Sequence, residues 1–129
     1  PSQFDIIVTT NMFGDILSDQ AGVILVSLGL MPSACIGPDK AYYEPSHGSA
    51  PDIAGKNLAN PYSMIGSVAL MLDMSFGMTE EAKAVWQAMQ RVFEAGFSTG
   101  DLSSADSNSI LLSTTEFGDK VLESLKDLL

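Results

Sequence analysis

The sequence predicts an α/β fold, helix-rich and with few strands. Three observations carry that expectation. Phe4-Asp-Ile-Ile-Val-Thr-Thr10 is a β-branched run of strand character. Residues 30–44 read as short extended pieces broken by Pro32, Gly37 and Pro38. Beyond Asn60 come three segments of helical character, each with stop or start signals at its ends. A chain of 129 residues is long enough to bury one real core.

The elements follow in order. A buried strand at Phe4–Thr10 needs neighbours on both sides, so the chain is expected to be a piece of something longer. Asn11 is the expected N-cap of a helix from Met12 to Leu28, which Gly29 stops. The second half of that helix, Ala21–Leu28, is apolar nearly all round, which predicts burial on every side, as at a subunit interface. Asn60-Pro61 opens a second helix, with Asn as cap and Pro at the first position, running to Phe76 before Gly77. Thr79 is the expected cap of a third, with Glu80 and Glu81 at its positive end. Ala82, Val85, Trp86, Met89, Val92 and Phe93 give it one apolar stripe, and Gly96 ends it. Residues 98–112 read as a loop with an apolar patch at Ile110-Leu111-Leu112. Ser113-Thr-Thr-Glu116 is a capping-box pattern. It starts a last helix with Phe117, Val121, Leu122 and Leu125 on one face.

Composition excludes several functions. Apolar residues make up 46% and charged residues 17%, which is globular rather than disordered. A formal net charge of −10 repels phosphate backbones and anionic headgroups, so neither nucleic acid nor a membrane is an expected partner. The most apolar run, residues 21–31, is too short to span a bilayer and is interrupted by Ser27 and Gly29. No signal peptide is visible. Cys35 is alone, which rules out a disulfide framework or a cysteine metal site and fits the cytoplasm or an organelle matrix.

Two places can carry chemistry. Asp15 and Asp19 stand four apart on a predicted helix, so both carboxylates leave from one face. Adjacent like charges call for a cation, and Mg²⁺ or Mn²⁺ takes oxygen ligands of this kind. A solvated acidic face accounts for the same spacing. The second place is Glu44 through Pro61, with three prolines, two glycines and the only histidine. Its backbone is tightly dictated and its polar groups are many. Asp52 suits a ribose, because a carboxylate accepts from both hydroxyls and repels a 2′-phosphate, favouring NAD over NADP. His47 can stack on a ring or bond to it, and Gly48 and Ser49 can offer N–H groups to an anion. A rigid turn whose histidine satisfies its own loop is the alternative, and no G-x-G-x-x-G motif is present. Glu44 can meet the same ligand or be a plain surface carboxylate. Capping alone explains Asn60. Asp73, inside an apolar helix, needs a partner or a solvated edge, and Tyr42 and Tyr43 are expected to pack.

These segments resemble a known family. Phe4-Asp-Ile-Ile-Val-Thr-Thr-Asn-Met-Phe-Gly-Asp-Ile-Leu-Ser-Asp19 is similar to the metal-site segment of the metal-dependent β-decarboxylating dehydrogenases, the isocitrate/isopropylmalate dehydrogenase family. Ser27-Leu-Gly-Leu-Met-Pro-Ser-Ala34 follows as it does there. Glu44 through Pro61 is similar to the family's NAD loop. Thr99-Gly-Asp-Leu102 and Ser113-Thr-Thr-Glu-Phe-Gly-Asp119 match its C-terminal pattern. The likeness covers essentially the whole chain and is strongest to the isopropylmalate branch, which serves leucine biosynthesis; the isocitrate, homoisocitrate and tartrate branches are the alternatives.

The resemblance implies the C-terminal segment of a two-domain oxidoreductase whose open α/β fold is not a standard Rossmann domain. Residues 1–30 would supply a strand and the metal-site helix, and residues 31–129 the NAD loop and C-terminal helices. It implies oxidation of a 2-hydroxy acid by NAD and then loss of the β-carboxylate as CO₂, together an oxidative decarboxylation, with Mg²⁺ or Mn²⁺ as Lewis acid. Asp15 and Asp19 would be metal ligands. His47, Gly48, Ser49, Ala50, Asp52, Ile53 and Asn60 would line the adenosine half of NAD, with Glu44 toward the nicotinamide. The family's substrate arginines and its catalytic tyrosine and lysine would lie upstream, so no catalytic residue is expected in this segment and the isolated fragment is expected to be inactive. The parent enzyme would be a homodimer, with the 12–28 helix near its interface. A non-catalytic nucleotide-binding or assembly module is the reading from another class.

Overall fold

The computed structural model describes residues 3–22, 24, 27–103 and 108–128. The described residues form four α-helices, α1 (Asn11–Gly22), α2 (Tyr62–Phe76), α3 (Thr79–Glu94) and α4 (Thr114–Lys126), with four short strands. β1 (Pro32–Ile36) and β2 (Ala41–Pro45) form an antiparallel hairpin in register Pro32↔Pro45 to Ile36↔Ala41. β3 (Phe97–Thr99) and β4 (Ile110–Leu112) pair in parallel. The helix-rich α/β class is the one expected.

The core lies between α2, α3 and α4. Ala88, Met89, Val92, Phe117 and Val121 are buried at its centre. An aromatic chain crosses it: Tyr62 stands 5.5 Å from Phe93, and Phe93 5.5 Å from Phe117, each pair tilted as ring quadrupoles prefer. α2 packs against both strands of the hairpin as well as against α3. The approach is close at Gly66, where a Cβ would come within 2.8 Å of the Trp86 ring and 3.2 Å of Pro32. Tyr43 Oη and Ser75 Oγ, 2.6 Å apart, tie the hairpin to the far end of α2.

Cap chemistry marks both ends of α2 and the start of α4. Asn60 Oδ1 accepts from Tyr62 N–H at 3.0 Å, and Gly77 ends α2 with φ 65°. The capping box on α4 is complete: Ser113 Oγ accepts from Glu116 N–H, and the Glu116 carboxylate accepts from Ser113 N–H. The stripe on α3 faces the core as expected, Ala82, Met89 and Val92 being buried.

Several expectations change. Phe4–Thr10 is not a strand: its backbone is irregular and its side chains are exposed, Val8 at 92%. A strand satisfies its N–H and C=O groups only on a neighbour, and no strand pairs with this run among the described residues. α1 bonds its own backbone and so needs no neighbouring strand for its hydrogen bonds. Asn11 lies inside α1 rather than capping it, since Gly14 N–H already bonds Thr10 O. α1 ends at Gly22, where a Cβ would collide with Met31 Sδ at 2.1 Å, rather than reaching Leu28. Val23, Leu25 and Val26 lie outside the described residues. Thr79 is the first helical residue, and its hydroxyl donates to Asp73 at 2.7 Å, which gives Asp73 its partner. The expected loop at 98–112 holds the end of β3 and all of β4. Leu122 and Tyr42 are about half exposed rather than packed. Among the described residues, no helix is long and apolar enough to cross a membrane.

Candidate functional site

The loop from Glu44 to Pro61 bends through unusual backbone. Ala50 (φ 45°), Gly55 (φ 74°) and Asn57 (φ 57°) all take positive φ. Glycine and asparagine tolerate this region, whereas for Ala50 it costs about 1 kcal/mol or more. Such strain persists only where the surroundings hold it, and they do so at three points.

The first is His47. Its Nδ1 lies 2.9 Å from Gly48 O and its Nε2 lies 2.9 Å from Ser63 Oγ. A carbonyl can only accept, so Nδ1 carries the proton; in the neutral ring Nε2 then accepts from the Ser63 hydroxyl. Ser63 is fully buried in the first turns of α2. The second is Asn57. Its Nδ2 donates to Thr115 Oγ1 at 2.9 Å, and its Oδ1 accepts from Thr115 N–H at 3.1 Å. Thr114 adds bonds to the loop carbonyls of Asn57 and Ala59. The start of α4 therefore clamps the loop. The third is Asn60, buried, bonded to Tyr62 and to Asp101 Oδ2 at 3.2 Å.

Between these anchors the loop frames two adjoining clefts. One, of about 330 Å³, is lined by Ser27, Gly29, His47, Gly48, Ala50, Ile53, Leu58, Ala59, Asn60 and Asp101. The other, of about 420 Å³, shares His47, Gly48, Ala50, Ile53, Leu58 and Ala59 and adds Ser49, Ala54, Gly55, Asn57 and Thr114. Mostly apolar walls with a few convergent polar groups are the usual make-up of a small-molecule site. A Cβ on Gly48 would meet nothing within 4 Å, so this glycine leaves open space in the cleft.

Of the residues singled out in sequence, His47, Gly48, Ser49, Ala50, Ile53 and Asn60 line these clefts. Asp52 is exposed on the 3₁₀ turn Pro51–Ile53 and is not among the lining residues of either. Glu44 is exposed on β2 opposite Ser33, also outside both linings. Both ring nitrogens of His47 are occupied, which leaves its ring face for a ligand. Sequence reasoning singled out neither Asp101, Ser27, Leu58 nor the Thr114–Thr115 clamp. The Thr99-Gly-Asp-Leu102 match was the one signal near Asp101.

Asp15 and Asp19 are both exposed on α1. Asn11 Nδ2 donates to Asp15 Oδ2 at 3.0 Å. Among the described residues, no group of three or more His, Cys, Asp or Glu side chains could hold a metal. The two carboxylates suit a hard divalent cation as part of an oxygen ligand set, and the remaining ligands would have to come from outside this group.

With loop, clefts and acidic helix in view, comparison defines the class. Residues 1–121 match the family described as isocitrate/isopropylmalate dehydrogenase, and the chain belongs to that family. The 3-isopropylmalate dehydrogenase of Thermotoga maritima is 52% identical over 128 residues, covering 99% of this chain and 35% of the relative. That of Pseudomonas fluorescens is 51% identical over 129 residues, with the same shares of 99% and 35%. An isocitrate dehydrogenase from Methylococcus capsulatus superposes with a TM-score of 0.87 at 41% identity, over 98% of this chain and 36% of its own. The chain thus spans about a third of the length of the relatives it matches.

Proposed function

We propose that this chain is the C-terminal segment of an NAD-dependent oxidative decarboxylase of a 2-hydroxy acid, and that the acid is 3-isopropylmalate. The observation that carries the proposal is the loop 44–61: a strained, triply anchored turn over apolar clefts, in a chain 52% identical to a 3-isopropylmalate dehydrogenase. The isocitrate dehydrogenase named above is less similar, at 41%.

In this reading the clefts take the adenosine half of NAD. Ile53, Leu58 and Ala50 give its base an apolar seat, the His47 ring stacks, and Gly48 lets the ligand approach the backbone. Asp52, at the exposed rim, takes the ribose hydroxyls, and Glu44 faces the nicotinamide end. Asp15 and Asp19 hold Mg²⁺ or Mn²⁺, which when bound supplies Lewis-acid polarisation of a substrate oxygen. The division into a metal-helix part (residues 1–30) and a loop-and-helix part (31–129) follows these two roles. Groups that move protons come from the rest of the parent enzyme, so the isolated chain has no turnover. The parent is a homodimer of the cytoplasm or an organelle matrix. The exposed Met12, Phe13, Ile16 and Leu17 of α1 support a covered face there.

The decisive experiment fills the open space. Gly48→Val in the full-length protein adds bulk at a cleft-lining position whose Cβ would meet nothing within 4 Å. The NAD dissociation constant, measured by calorimetry, is expected to rise about tenfold or more, as for a well-packed site that loses volume, with the melting temperature unchanged. An unchanged constant would refute the cleft as the nucleotide site. Asp19→Asn is expected to weaken Mn²⁺ binding in the same protein, and unaltered Mn²⁺ affinity would remove the metal assignment.

A further inference from the structure

We infer that Asp101 is a positioning residue that sets the width of the nucleotide cleft. The inference rests on the reading of the cleft as the NAD site.

The argument starts from the chain positions that meet at one carboxylate. Ser27 Oγ donates to Asp101 Oδ2. Asn60 Nδ2 donates to the same oxygen at 3.2 Å. Thr99 Oγ1 donates to Oδ1 at 2.6 Å. Ser27 caps the 3₁₀ turn Leu28–Leu30 by accepting from Gly29 N–H. Asn60 ends the loop and starts α2. Thr99 ends β3. Asp101 thus joins three pieces of chain, and Ser27, Gly29 and Asn60 are all walls of one cleft.

Two details make the arrangement specific. An ionised carboxylate only accepts, so it commits Asn60 to presenting its amide nitrogen, while Tyr62 N–H takes the amide oxygen. Gly29 is packed into the knot: a Cβ there would lie 3.0 Å from Asp101 Oδ2, 3.1 Å from Asn60 Cβ and 3.2 Å from Ser27 Oγ. Asp101 therefore fixes both the orientation of Asn60 and its separation from the 27–29 turn. Asp101 lines the same cleft and holds its other walls in place, so its loss acts on binding of the adenosine half and not on hydride transfer.

The test uses the full-length enzyme with NAD and with ADP-ribose, which lacks the nicotinamide. Asp101→Asn keeps the shape but leaves one acceptor oxygen for three donors. Calorimetric dissociation constants for both ligands are expected to rise about tenfold, the loss of charge-assisted hydrogen bonds, while kcat and the KM for the hydroxy acid stay within about twofold. Ser27→Ala, which removes one donor, is expected to raise both constants about threefold. Unchanged constants would overturn the inference. So would equal losses in kcat, hydroxy-acid KM and nucleotide affinity, because a merely loosened fold gives that pattern. Where Asp101→Asn does not accumulate as folded protein, Ser27→Ala decides alone by the same criterion. Gly48→Val separates the two levels: if it too leaves binding unchanged, the nucleotide reading has failed; if it abolishes binding while Asp101→Asn does not, only the role of Asp101 has.

Discussion

Residues 62–128 and residues 3–22 are both rich in apolar side chains, yet they meet opposite environments. In the first region Met89 and Phe117 are fully buried and every helix leans on another. In the second Phe4, Ile6, Ile7 and Val8 are exposed, as are Met12, Phe13, Ile16 and Leu17. The difference teaches that local sequence supplies secondary structure only where the backbone can satisfy itself. α1 can, and forms. The Phe4–Thr10 run cannot, and does not. Apolar patches of this extent mark a surface meant to be covered, which suits a chain spanning about a third of its relatives' length.

The sharpest way to break this comparison is to cut the same kind of group from each side. Phe117→Ala in the 129-residue chain removes a ring from the centre of the core and is expected to cost about 3–5 kcal/mol in urea unfolding. Ile7→Ala, at an exposed position, is expected to stay within about 0.5 kcal/mol. Comparable losses would mean that residues 4–10 are packed in solution and that the contrast is false. In the full-length protein Ile7→Ala is expected to become costly, because the covered strand then pays for the missing methyl groups.

A second pair sharpens the contrast between core and cleft using glycines alone. Gly66→Ala drives a methyl to 2.8 Å from the half-buried Trp86 ring, which must shift to admit it. Overpacking of that kind costs about 1–3 kcal/mol. Gly48→Ala meets open space, so thermal unfolding of the variant is expected to match the parent within about 0.5 kcal/mol. A destabilised Gly48→Ala would show that the loop packs more tightly than its open cleft implies.

Sequence read best where the controlling residues are neighbours. Asn60 with Tyr62, Gly77 after Phe76, and Ser113 with Glu116 act within four positions, so those caps are legible, whereas Asn11 and Thr79 prove to be helical residues. The apolar stripe of α3 was legible for the same reason. The loop 44–61 declared itself by its prolines, glycines and histidine, and it does frame the clefts. What could not be read is what folding brings from afar. β3 and β4 have three residues each, and their parallel pairing is a contact of 13 positions, Phe97 with Ile110. Asn57 meets Thr115 across 58 positions. Ser27 meets Asp101 across 74. Apart from the Thr99-Gly-Asp-Leu102 match, nothing in the local pattern of Asp101 distinguishes it from the other acidic residues. Phe4–Thr10 failed in the opposite direction: its propensity was clear, and the missing partner overrode it.

The smallest effect concerns how the two regions start their helices. α4 begins with a capping box, whereas α1 has no acidic residue in its first turn. The Glu116 carboxylate accepts from the Ser113 hydroxyl and the Ser113 N–H, and these bonds hold its pKa below the ordinary 4.5. A carboxyl with a lowered folded pKa binds its proton more weakly in the folded chain than in the unfolded one. Its stabilisation is complete above 4.5 and is lost as the pH falls through the folded value. Glu116→Gln keeps an acceptor oxygen but removes the charge. The variant is therefore expected to melt slightly below the parent at neutral pH, with the gap closing on acidification below 4.5. Added salt should narrow the neutral gap, because the site is exposed and the charge lies at a helix N-terminus. A gap that stays constant into acid would mean that the box works through its geometry alone. Asp15→Asn on α1, where no box exists, is the matched control; it removes the charge but keeps an acceptor oxygen for Asn11, and α1's exposed face leaves little stability for it to change.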